Sequence, residues 1–345
     1  MVNDYVTMAG QYTDQDPDLF PKYCWQKAAD EFQKMAESSA HEPVNRAVLF
    51  FGGDSPENNH SRYYKNLDDM VASLEKRNIK PENIIVMYAD GLSNAPDQNI
   101  SQNPNFPVLE DSNLDFLCKK GIAVLPATQE GLENIFSIMK SNVKDTDHTL
   151  FYAFDHGGQS PWGETLIGWN KEEILDKDFA QIVKGLPGYK TYVFSECYSG
   201  GMIKDIELDG KTCAIAASKD CESSIDDGFA KGIAESIDDP GITTYDLFHK
   251  ASALDAYADT TGILSQKLFN VEHPQKLGAD FSVFHEPDRD AHWNLGDIHN
   301  SISVPDSNFT AFDGPGSSNP GFTEDDTGLF CSMEPSDFAP GFAGA

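Results

Sequence analysis

Two polar residues, each leaving an apolar run and entering a pair of glycines, are the strongest chemical features of the sequence. Phe151-Tyr152-Ala153-Phe154-Asp155-His156-Gly157-Gly158 carries an imidazole out of an apolar strand into a glycine turn. Tyr192-Val193-Phe194-Ser195-Glu196-Cys197-Tyr198-Ser199-Gly200-Gly201 does the same for a thiol. An ordinary thiol, with a pKa of about 8.5, is mostly protonated at neutral pH, and a neighbouring imidazole raises its reactive thiolate fraction. A turn without Cβ atoms lets a substrate carbonyl approach backbone N–H groups that form an oxyanion hole, here the amides of Cys197 and Gly157. Taken singly, a Cys or a His at a strand end is ordinarily a small buried hydrophobe or a satisfied polar residue.

The elements that must position these groups alternate between apolar runs and amphipathic stretches from Asn45 onward, the signature of a mainly parallel sheet with helices on both faces. Strands are expected at 48–51, 84–88, 149–154, 165–169, 191–194 and 212–216, with a further one around 280–284. Helices are expected at 63–77, where Leu67, Met70, Val71 and Leu74 keep helical spacing, and at 129–142, 178–184 and 244–257. The Asn-, Asp- and Pro-rich stretch 90–126 reads as a long surface insertion whose aspartates lack the DxDxDG spacing of a calcium loop. In open α/β sheets functional groups gather beyond the carboxyl ends of the strands, where both His156 and Cys197 fall.

Length and composition permit one catalytic domain with appendages. Of the 345 residues 39% are hydrophobic. The expected division is an N-terminal extension with a helix at 1–44, a catalytic domain at 45–290 and an acidic, Gly- and Pro-rich tail at 291–345, with no Lys or Arg beyond Arg289. A formal charge of −31 repels phosphate backbones and anionic head groups, which argues against nucleic-acid and membrane-surface roles. No apolar run reaches a spanning length and no signal-like start is visible, so the reading is an intracellular protein or one whose signal was removed before the numbering begins. The cysteines at 24, 118, 197, 213, 221 and 331 show no CxxC pair, and His273, His285, His292 and His299 lack ligand spacing, so no metal is expected. A Cys213–Cys221 disulfide is left open.

His156 precedes Cys197 by 41 residues, in the order and near the roughly 50-residue spacing of caspases. The sequence also resembles the legumain, or asparaginyl endopeptidase, family of caspase-like cysteine peptidases. Phe154-Asp155-His156-Gly157 is similar to that family's Asp-His-Gly, and Cys197-Tyr198-Ser199-Gly200-Gly201-Met202 to its Cys-Glu-Ser-Gly-Ser-Met. Similarity continues through 84–90 and through Ala216-Ala217-Ser218-Lys219-Asp220-Cys221-Glu222-Ser223-Ser224, so that about residues 45 to 240 are covered. The resemblance implies a caspase-like three-layer α/β sandwich, a Cys197–His156 dyad acting through an acyl-enzyme without cofactor, a peptide or protein substrate, and a secretory or lysosome-like setting. It also implies a zwitterionic pocket for the residue before the cut, with Arg62 as its cation, Ser218 on its wall and Asp227, or alternatively Asp226, as its acid.

Two places depart from the family. Where legumains carry Glu two residues before the Cys, this chain has Ser195, and the acid stands at Glu196. Successive strand residues face opposite ways, so a Glu196 turned from the pocket favours Asp before the cut, and one turned back favours Asn. A pocket without Arg62 would favour Arg or Lys, as in metacaspases. His60 stands near the place of a family Asn but reads as an exposed loop residue. Rival readings are a peptide ligase on the same dyad and a catalytically inactive binding module. A plain α/β hydrolase lacks its GxSxG elbow here.

Overall fold

Asn45–Phe51 (β1) buries six of its seven residues, and Ile84–Tyr88 (β2) and His148–Phe154 (β6) are buried throughout. Strands covered on both faces belong inside a parallel sheet. In the computed structural model, which describes residues 42–101, 106–224, 227–261 and 272–285, they form the middle of a seven-stranded sheet. Its remaining members are Ala123–Leu125 (β5), Tyr189–Phe194 (β10), Thr212–Ala216 (β11) and Gln275–Gly278 (β12), in the order β12-β11-β10-β6-β1-β2-β5. All neighbours run parallel except β12, which pairs antiparallel with β11. Chain order reverses between β1 and β6, so the crevice beyond their carboxyl ends is the topological switch point.

Adjacent residues of β6 show that both faces are covered, because strand side chains alternate. Phe151 packs on Phe136 of Gln129–Asn142 (α3) and on Phe179 of Asp176–Val183 (α4). Tyr152 instead donates to Asn66 of Ser61–Lys76 (α1) at 3.2 Å and lies against the Ala230 carbonyl of Gly228–Ser236 (α6). Phe179 also meets Phe194 of β10, with ring centroids 5.1 Å apart. One aromatic cluster thereby fixes the last residues of both β6 and β10, and each buried ring contributes roughly 1.5–3 kcal/mol. On the other face Ser73 donates to the Ala234 carbonyl at 2.8 Å, joining α1 to α6, while Gly232 lies against Ala251 of Thr244–Thr261 (α7).

Several elements differ from the sequence expectations. The stretch 90–126 is no surface insertion. It holds a two-residue ladder between Gln98–Asn99 (β3) and Leu109–Glu110 (β4), the helix Asp115–Lys120 (α2) and the edge strand β5, and it buries Asp97, Gln98 and Asn99. Asp97 is accommodated because both Ser112 N–H and Ser112 Oγ donate to it, at 2.6 and 2.8 Å. The expected strand at 165–169 is Gly163–Gly168 (β8), outside the main sheet. It pairs with His156–Ser160 (β7) and Glu172–Leu175 (β9) in a small antiparallel sheet, so the glycines after His156 begin a hairpin.

Among the described residues the last strand is Gln275–Gly278, while 280–284 contributes only a bridge from Ser282 to Thr243. Helices α2, Ser199–Met202 (α5) and α6 were not expected. Cys213 is free and Cys221 is disulfide-bonded, so the two are not partners. The expected N-terminal helix, the tail 291–345, His292 and His299 lie outside the described residues. Among those described, no helix is long and apolar enough to cross a membrane.

Candidate active site

The loop after β1 is built first, because it determines what His156 faces. Gly52 turns with φ +118° against the backbone of Ala89, a conformation and a closeness that exclude a side chain. Asn59 is fully buried and bolts the loop down. It donates from Nδ2 to the Asp97 carbonyl at 2.7 Å and accepts at Oδ1 from the Tyr88 hydroxyl at 3.0 Å, while its own carbonyl accepts from Asn99 N–H at 2.8 Å. The Asn58 carbonyl is thereby aimed at His156 Nε2, 3.2 Å away. A carbonyl only accepts, so Nε2 carries the proton and Nδ1 is the basic nitrogen.

The Tyr63 hydroxyl, two residues into α1, also lies 3.2 Å from Nε2, and the two rings meet edge to face at 5.5 Å. Neither Asn58 nor Tyr63 was identified from the sequence. The first acts through a carbonyl that every residue has, and the second reads as an ordinary apolar residue at a helix start. Burial lowers the His156 pKa below the ordinary 6.5, offset in part by the Asn58 carbonyl. Asp155, buried beside it, accepts from the His156 amide at 2.7 Å and orients the turn; burial holds its carboxyl well above the carboxylate range.

Cys197 follows β10 and precedes Tyr198, which adopts φ +60° although it is not glycine. Strained left-handed residues of this kind collect at functional turns. Tyr198 N–H donates to the Glu222 carbonyl at 2.7 Å, and the Cys197 thiol donates to the Ser224 carbonyl at 3.3 Å. Burial pushes the thiol up from 9.0. The resting pair is therefore a neutral thiol and a neutral imidazole. The two strand ends touch through Gly157, where a Cβ would overlap the Cys197 carbonyl oxygen and lie 2.8 Å from Glu196 Cγ.

The residues expected in the pocket separate into two groups. Arg62 Nη1 and Asp227 Oδ1 pair at 2.9 Å, each about half exposed, at one end of a cavity of about 560 Å³ that runs between α1 and α6 and includes Phe154 in its wall. Asp226 lies outside the described residues. Ser195, Glu196 and Ser218 are absent from these walls, as are His156 and Cys197. Ser195 is buried beside the Tyr152 hydroxyl. Ser218 is fully buried, its hydroxyl donating to the Glu222 carbonyl at 3.1 Å and its amide held by Ser199 Oγ.

Glu196 is 1% exposed, with neither carboxylate oxygen in a well-formed hydrogen bond, and burial drives its pKa well above 4.5. Burial of this kind favours the protonated carboxyl over the carboxylate. His60 stacks on Tyr63 at 6.4 Å, and His273 is held by Glu222 at 2.7 Å. Among the described residues no three His, Cys, Asp or Glu side chains gather as a metal site.

The protein is a cysteine-type peptidase built on a mainly parallel α/β sheet. More particularly, residues 47–245 match the Peptidase C13 family, the legumain family, over more than half of the chain, and the protein belongs to it. No curated protein matches the chain. Among solved structures it is similar to pro-sf-caspase-1, with 9% identity, TM-score 0.41, and 69% of this chain and 92% of that one covered. It is also similar to protein GSU0716 from Geobacter sulfurreducens, with 12% identity, TM-score 0.40, and coverage of 69% and 94%. For drICE the values are 10%, 0.35, 69% and 88%. Family membership rests on the match over 47–245, not on these distant likenesses.

Proposed function

We propose that the protein is an endopeptidase that cleaves after Asn, and more weakly after Asp, through Cys197 and His156. The observation that carries this reading is the meeting of the two strand ends at Gly157 and Cys197, with Arg62, the partner of Asp227, joined to His156 through the Tyr63 hydroxyl. On attack the Cys197 thiol gives its proton to His156 Nδ1 and the sulfur adds to the scissile carbonyl. The Asn58 carbonyl stabilises the imidazolium through Nε2–H, and the amides of Gly157 and Cys197 receive the oxyanion. The imidazolium then protonates the leaving amine, and water, deprotonated by His156, releases the acyl group.

Arg62 and Asp227 together offer a donor and an acceptor, matching the carbonyl and NH2 of an Asn carboxamide. An ion pair so exposed is worth about 0–1 kcal/mol, so a carboxamide can insert into it at little cost. An Asp carboxylate meets Arg62 well but faces Asp227, so Asp is accepted chiefly as the neutral acid, at lower pH. A basic side chain would find Asp227 already paired. Ser195, Glu196 and Ser218 are buried, which leaves Arg62 and Asp227 as the exposed groups that define the preference.

The test is digestion of a mixed peptide library by the protein and by Cys197→Ala, with products read by mass spectrometry from mildly acidic to neutral pH. Cysteine-dependent cuts after Asn support the reading. Cuts after Arg or Lys overturn the pocket while keeping the dyad, and products that persist in Cys197→Ala overturn both.

A further inference from the structure

We infer that Tyr63 is a positioning residue through which a filled Arg62–Asp227 pocket makes His156 a better base. The inference rests on the dyad and pocket proposed above and adds a connection between them. Tyr63 is fully buried, and its hydroxyl oxygen stands between Arg62 Nη2 at 3.1 Å and His156 Nε2 at 3.2 Å. Arg62 divides its donors between Asp227, through Nη1, and Tyr63, through Nη2. Its guanidinium also lies over the Tyr63 ring, 4.9 Å from the centroid. Phe154, 5.2 Å away, and His156 hold that ring from two further sides. The oxygen is therefore fixed in place, and the pocket cation and the imidazole share it.

Burial keeps Tyr63 protonated, so it works as a neutral acceptor. While Arg62 donates to that oxygen, its electron density is drawn toward the guanidinium and it accepts poorly from His156 Nε2–H. A carboxamide oxygen that binds Arg62 competes for the same donors and loosens the Arg62–Tyr63 bond. The freed oxygen then accepts more strongly from Nε2–H, at the stage when Nδ1 takes the Cys197 proton. A filled pocket thus favours the imidazolium, and an unfilled one disfavours it.

The experiment compares pH profiles of kcat and kcat/KM for one P1-Asn peptide, using the full chain and Tyr63→Phe, which keeps the ring and deletes the hydroxyl. The kcat/KM profile reports groups of the free enzyme and the kcat profile those of the substrate complex. In the unaltered protein the acid limb of kcat is expected about one pH unit above that of kcat/KM, equivalent to gaining about one hydrogen bond. In Tyr63→Phe the two limbs are expected to converge, with kcat down about 10-fold and KM little changed.

Coincident limbs in the unaltered protein overturn the inference, whether or not Tyr63→Phe folds, and so does a separation that survives in a folded Tyr63→Phe. A merely structural Tyr63 would lower activity without moving one limb relative to the other. Loss of Cys197 dependence or of Asn preference in the unaltered protein would instead mark failure of the underlying reading.

Discussion

Gly157 and Cys197 are in contact across the ends of two neighbouring strands, with the glycine Cα facing the Cys197 carbonyl oxygen so closely that no Cβ fits between them. Its φ lies outside the left-handed region, so space alone demands glycine there. Gly157→Ala must push the Cys197 turn away from His156. Because a 1 Å displacement of reacting groups can cost about 100-fold, kcat/KM is expected to fall by roughly that factor. The change is local, so thermal unfolding should shift by only a few degrees. Retained activity in Gly157→Ala would show that the contact does not set the geometry of the pair.

The neutral resting state predicts a particular pH dependence. His156 lies below 6.5 and serves as base only when unprotonated, so kcat/KM should hold down to below pH 6.5 before its acid limb begins. Cys197 lies above 9.0, so alkylation of the free enzyme by iodoacetamide should accelerate with pH to beyond 9. A thiolate–imidazolium pair would instead give an alkylation rate that is flat through neutral pH.

Arg62 and Asp227 are each about half exposed, which discounts their pairing as a source of stability. Arg62→Gln should therefore leave the unfolding midpoint nearly unchanged while kcat/KM for P1-Asn peptides drops about 10- to 100-fold, the loss of a charge-assisted hydrogen bond. The ratio of cleavage after Asp to cleavage after Asn should rise as pH falls from 7 to 5 in the unaltered protein. Peptide kinetics with unfolding controls check both.

Glu196 is buried with a raised pKa, so the folded protein keeps a proton that the unfolded chain releases above about 4.5. More protons bound in the folded state means that stability declines as pH rises from 4.5 through the folded value. Glu196→Gln removes that dependence. Its unfolding midpoint should exceed that of the unaltered protein at pH 7 and above, and the difference should shrink toward pH 4, as read by denaturation across pH.

The parts legible in the sequence are those governed by apolar burial. β1, β2, β6, β10 and β11 are short runs covered on both faces, and α3 was placed at its observed ends because Leu132, Ile135, Phe136 and Met139 keep strict helical spacing. The stretch 90–126 is more ordered than its composition suggests because polar groups there are satisfied by partners apart in sequence, such as Asp97 with Ser112 and the Asp97 carbonyl with Asn59, and periodicity carries no trace of such bonds. Gly157 meets the Cys197 backbone, and Tyr63 joins His156 to Arg62, which pairs with Asp227. Glu196 and Ser218 illustrate the limit: a residue can lie beside a motif in sequence and be buried from solvent in space.

The most direct test of the central claim is capture of the acyl-enzyme. The protein is mixed with a P1-Asn peptide, quenched in acid within milliseconds to seconds, and mapped by mass spectrometry. A thioester on Cys197, absent in Cys197→Ala and much reduced in His156→Ala, is the predicted result; Cys118 and Cys213, both buried, should remain unmodified. Peptide cleavage that proceeds at full rate in Cys197→Ala, or an acyl group found on another residue, would contradict the account.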